Sequence, residues 1–158
     1  MDPTAPQARK AGEARRRLLH EHAALADRLV ELDLLAGRLC EGDAAAAERV
    51  TAKLAEVDAE LEAHVRSEEA HLLLLLGWPR DPTGPERASE LREDHARQRA
   101  RIGALGDQLA AERVAHEPEE AERAVRAFVR DLMRDMELEE QDVLSALPGD
   151  DDAADLPR

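Results

Sequence analysis

Residues 54–68 read L-A-E-V-D-A-E-L-E-A-H-V-R-S-E, and Leu54, Val57, Leu61, His64 and Glu68 follow one another in steps of three and four. Such steps keep residues on one face of an α-helix. A stripe that begins in leucine and valine therefore continues into an imidazole and a carboxylate. Burying a polar or charged group without a partner is costly, so this stripe must meet complementary groups from elsewhere in the chain. Working outward, the same register occurs three more times. One stripe runs Leu18, His22, Leu25, Leu29, Leu32, Ala36 and Leu39, and another Leu91, His95, Gln98, Ile102, Leu105 and Leu109. The last runs Phe128, Leu132, Asp135 and Glu139, then Val143 or Ala146.

Turn residues separate the stripes. Gly42 and Asp43 stop the first helix and cap the second, and W-P-R-D-P-T-G-P at 78–85 stands between the second and third. Thr83 and Glu86 form a capping box with Pro85 in the first turn, and Pro118 opens the last helix. The spacing predicts helices from between Thr4 and Glu13 to Leu39, from 44 to 76, from 83 to about 114, and from 118 to about 147. Short connections between four long helices predict an all-α, antiparallel up-down-up-down four-helix bundle. Residues 13–148 form that domain, after a flexible lead at 1–12 and before a charged, apolar-poor acidic tail at 149–158.

The topology brings the polar positions to one level. His22 and His95 lie about 17 and 19 residues before the ends of their helices, while His64 and Asp135 lie about 20 and 17 after the starts of theirs. At roughly 1.5 Å of rise per residue, all four fall within a turn of one another. The halves also look duplicated. His22 to His64 spans 42 residues and His95 to Asp135 spans 40, with H-V-R-S-E-E and D-M-E-L-E-E in matching places.

Composition supports helix and narrows the partners. Ala, Leu, Glu and Arg dominate, and aromatics are 1% of the chain, with one Phe, one Trp and no Tyr. A net charge of −14 repels nucleic acid and anionic membrane. Cys40 is the one cysteine, so it has no internal disulfide partner and is read as a small apolar residue near a helix end. The longest leucine run is Leu72–Leu76 and the N-terminus lacks a signal-peptide stretch, so a cytoplasmic protein is expected.

Six residues are thus candidate metal ligands: His22, His64, Glu68, His95, Asp135 and Glu139. Structural zinc takes four ligands, often thiolates, whereas six mixed nitrogen and oxygen donors suit two iron ions, with manganese or a mixed pair as alternatives. His71 forms E-x-x-H with Glu68 one turn further on and is given an entrance or supporting role. His20 and His116 are read as surface residues, Trp78 as a cap on the bundle end, and Glu140 as a replacement for Glu139 if the last helix rotates.

E-H-A-A-L, H-V-R-S-E-E, D-H-A-R and M-E-L-E-E together resemble the hemerythrin-like HHE cation-binding family, over roughly residues 13–148. The resemblance implies an oxo- or hydroxo-bridged di-iron centre that binds or senses oxygen, nitric oxide or peroxide, or that handles iron. Asp135 stands where the family usually has the fourth-helix His, and Arg99 where oxygen-carrying members have a second third-helix His. Carboxylate in place of imidazole favours the ferric state, which brings an oxidase or ferroxidase into consideration. A degenerate, metal-free interaction module is the remaining alternative. The absence of tyrosine argues against a tyrosyl-radical mechanism.

Overall fold

The computed structural model describes residues 5–41, 43, 45–76 and 84–142. Every regular element among them is helical: α1 Ala5–Ala36, α2 Ala46–Leu76, α3 Gly84–Gln108, a short α4 Ala111–His116 and α5 Pro118–Asp142, with a 3₁₀ turn at Gly37–Glu41 after α1. No helix among the described residues is long and apolar enough to cross a membrane. The segments expected to hold Trp78, the Thr83 cap, the end of the last helix and the acidic tail lie outside the described residues.

Side-chain pairs between helices fix their directions. Along α1, His22, Arg28 and Glu31 meet His64, Glu60 and Lys53 in turn, so α2 runs back along α1. His22 meets Glu139 and Asp33 meets Arg126, so α5 also opposes α1. Gln98 meets Asp135 and Arg101 meets Asp131, which sets α5 against α3. With α2 and α5 each flanked by α1 and α3, this is the antiparallel up-down-up-down bundle. The α1–α2 ladder of Arg28, Glu31, Lys53, Glu56 and Glu60 lies at the surface, half-exposed except at Lys53, so it aligns the helices more than it stabilises them.

Local chemistry explains the boundaries. Asp43 caps α2: its Oδ1 accepts the Ala45 N–H at 3.0 Å, and its carbonyl accepts that of Ala46 at 2.9 Å. α1 stops at Ala36, three residues short of the expected Leu39, because Gly37 is a weak helix former. A Cβ at Gly37 would come within 3.1 Å of the Arg126 guanidinium, which lies close to the bare backbone. The 3₁₀ turn tightens the end and still buries Leu39. α1 begins at Ala5, and Ala11, inside the stretch expected to be a flexible lead, is fully buried.

The third helix does not continue to Val114 as expected but breaks at Leu109–Ala110. Leu109 and Val114 are both buried, yet residues five apart on one helix point in different directions. The break lets each reach the core. The last helix also differs from expectation. Its buried positions are Ala121, Val125, Phe128, Val129, Leu132 and Met136, so Phe128 and Leu132 point inward as expected, whereas Asp135 lies on the exposed side facing Gln98.

The large apolar core runs from Leu25 to Leu39, along α2 from Ala46 to Val65, and along α5 from Ala121 to Met136. A small separate cluster of Ala11, Ala14 and Leu18 lies toward the other end of α1. His22 falls between the two. Leu29 is fully buried in the main core, whereas Leu34 on the same helix is 69% exposed. Leu29→Ala should cost about 2–5 kcal/mol in denaturant unfolding and Leu34→Ala no more than about 0.5. Equal losses would contradict this placement of the core.

Candidate metal centre

Between the two apolar clusters, α1, α2 and α3 turn three imidazoles and one carboxylate into the interior: His22 (2% exposed), His64 (4%), His95 (5%) and Glu68 (0%). Glu139 of α5 joins them with a side chain 11% exposed. His22 and His64 face each other, their Nε2 atoms 3.3 Å apart and their rings tilted by 58°. Glu139 Oε1 stands 3.6 Å from His22 Nε2. Glu68 Oε2 lies 3.9 Å from His64 Nε2 and 2.9 Å from His95 Nε2, so it stands between the α1–α2 side and α3. Donor atoms of His22, His64 and Glu139 all lie within 4.8 Å of one another, a spacing that can enclose one cation.

The outward nitrogens of the facing pair are also engaged. His22 Nδ1 is 2.9 Å from Glu140 Oε1 of α5, and His64 Nδ1 is 3.3 Å from Glu21 Oε2 of α1. Glu21 is held in turn by Arg17 Nε at 2.9 Å. A carboxylate on Nδ1 fixes the tautomer that leaves Nε2 free as a ligand. Each histidine can therefore offer Nε2 inward, where the two atoms converge.

Among the described residues, several buried atoms of the cluster have no hydrogen-bond partner. They include both carboxylate oxygens of Glu68, Oε1 of Glu139 and Nδ1 of His95. Buried polar atoms are ordinarily paired, and two acidic groups with lone pairs aimed at a cluster of imidazoles have the donor chemistry a cation would satisfy. The donors are nitrogen and oxygen only. Cys40, the one thiol, is exposed in the 3₁₀ turn at the far end of α1.

Electrostatics reflect the crowding. Burial pushes the Glu68 carboxyl up to about 7, against the pull of His95 and with the added push of Glu139. Burial also acts on Glu139, but His22 and the charge of His64 together hold it below the usual carboxylate range. Of the two, Glu68 is therefore the group that takes up a proton first as pH falls. Burial lowers both facing imidazoles. For His22 the carboxylates of Glu139 and Glu140 outweigh it and raise the group, whereas His64 stays lowered because the charge of His22 adds to burial.

Of the six residues singled out from the sequence, the fold brings together His22, His64, Glu68, His95 and Glu139 but not Asp135. Asp135 is exposed and accepts a hydrogen bond from Gln98 Nε2 at 3.2 Å, with Met136 buried in its place. One turn earlier, Asp131 pairs with Arg101 at 2.6 Å, so both aspartates belong to an outer α3–α5 seam. Four-residue spacing of two acids opposite Gln98 and Arg101 was the available signal. Glu140 meets His22 from outside, and His71 Nδ1 turns back to the Ser67 carbonyl at 2.6 Å. His20 and His116 are exposed. Glu21 was not anticipated, because beside Arg17 it reads as an ordinary surface ion pair.

Residues 10–147 match the hemerythrin HHE cation binding domain. The chain belongs to that family. No curated protein and no solved structure gives a match. A hemerythrin HHE domain is a cation-binding domain, and the buried, mixed imidazole and carboxylate cluster is where this one has matching chemistry.

The raised Glu68 carboxyl has a measurable consequence in metal-stripped protein. Its folded value, about 7, lies above the ordinary 4.5. The group therefore favours the native state below pH 4.5 and loses that contribution as pH rises through about 7. Glu68→Gln carries no charge to bury, so its stability advantage over the parent should grow between pH 5 and pH 8, up to on the order of 3 kcal/mol. With metal present the order should reverse, because Gln cannot supply the anionic ligand. Thermal melts of both proteins at the two pH values, with chelator and with metal, check both signs.

Proposed function

We propose that this chain is a non-haem iron protein that accommodates up to two iron ions between His22, His64, Glu68, His95 and Glu139. The observation that carries the reading is the facing pair of His22 and His64, 3.3 Å apart at Nε2, each held from behind by a carboxylate. Two imidazoles with buried carboxylates and no sulfur suit iron, with manganese or a mixed pair the nearest alternatives. Bound iron would supply a redox-active Lewis acid for a small ligand such as oxygen, nitric oxide or peroxide. The chain's own groups orient and insulate. Glu21 and Glu140 fix the ring orientations, Glu68 and Glu139 balance cationic charge, and Leu25, Val65 and Met136 keep water from the bundle side of the cluster. Binding or sensing such ligands, or handling iron, is the role this supports.

Reconstituting metal-stripped protein anaerobically with ferrous iron, followed by elemental analysis and optical spectra before and after oxygen or nitric oxide, tests the proposal. At saturating iron about two ions per chain should bind, and the spectrum should change with the gas. Absence of bound iron would sink it. His22→Ala or His64→Ala should lose most of the bound iron. Asp135→Ala should keep the parent's iron content and spectrum, and a loss there would return Asp135 to the ligand set.

A further inference from the structure

The three imidazoles are not equivalent in their support. His22 and His64 each have Nδ1 on a carboxylate, and Glu21 is itself anchored by Arg17. His95 has Nε2 at 2.9 Å from Glu68, but its Nδ1 is buried with no hydrogen-bond partner among the described residues, so no second group braces the ring from behind. Among the described residues, the α3 side is also short of donors. One turn past His95, Arg99 is exposed, and Gln98 is committed to Asp135 on the outer seam. Among the described residues, the group of three or more donors that closes to within 4.8 Å is His22, His64 and Glu139, and it excludes His95.

We propose that the two metal positions are unequal: an ion held by His22, His64 and Glu139 binds tightly, and a second ion at His95 and Glu68 binds weakly and exchanges. This rests on the iron-binding reading above. Each partner behind a ligating histidine typically contributes 10–100-fold in affinity. Two braced histidines against one unbraced histidine should therefore separate the two dissociation constants by at least about 100-fold. The first position stays loaded over a wide range of metal concentration, while the second fills and empties with supply. The centre thus changes between one ion and two as free metal varies, without unfolding.

Anaerobic titration of the metal-stripped, full-length chain with cobalt(II), followed by calorimetry and by its visible absorption, tests this. The expected result is one tight equivalent and a second at least about 100-fold weaker. His95→Ala should remove only the weak equivalent. Glu21→Gln, which acts through His64, should weaken the tight equivalent roughly tenfold and shift its cobalt band, leaving the weak one unchanged. Two equivalents of equal affinity in the parent, or loss of the tight equivalent in His95→Ala, would overturn the inference while leaving metal binding intact. No binding of either equivalent would overturn the proposed function and the inference together.

Discussion

Two carboxylates and three imidazoles share one layer of a bundle interior, and that layer constrains the rest of the structure. An uncompensated buried charge costs several kcal/mol, and two acidic groups cannot both ionise at close range without a cation. The chain answers in part by setting the two carboxyls apart, Glu68 raised and Glu139 lowered, and in part by bracing, with Glu21 and Glu140 bonded to the backs of His64 and His22. Both devices leave lone pairs aimed inward. They describe a site prepared for positive charge better than a core made polar by chance.

The apolar residues are distributed around that layer. Leucines and valines of α1, α2 and α5 fill the bundle on one side, and Ala11, Ala14 and Leu18 begin a smaller cluster on the other. Stability can therefore be supplied away from the polar layer, by ordinary packing at residues such as Leu29, Val57 and Leu132. A site whose groups oppose one another becomes tolerable because the larger core holds the helices in register beside it.

The bundle was legible because four stripes with steps of three and four, separated by Gly, Pro and capping residues, admit few other solutions. The inward placement of His22, His64, Glu68 and His95 was legible for the same reason, since each interrupts an otherwise apolar register. On α5 the register admitted two readings. Phe128, Leu132, Asp135 and Glu139 step by four, three and four, and Val129, Leu132, Met136 and Glu139 by three, four and three, so spacing does not decide between the neighbours Asp135 and Met136, about 100° apart on the helix. Packing decided it: Met136 went in and Asp135 went to Gln98. The break after α3 was hidden because Leu109 and Val114 each fit a helix taken alone. Glu21 was hidden because its partner belongs to another helix, 43 residues away in sequence.

That separation extends to the whole layer and bears on kinetics. His22 meets His64 across 42 residues and Glu140 across 118, so the layer is assembled from contacts that close nearly the entire chain into loops. Loop closure of that length is entropically late, whereas each helical hairpin can form from nearer neighbours. Contacts absent from the folding transition state leave the folding rate almost unchanged and act on the unfolding rate. A cation that joined α1 to α5 would therefore be a latch fastened after the chain has arrived, one that lengthens the lifetime of the native state without hastening its formation.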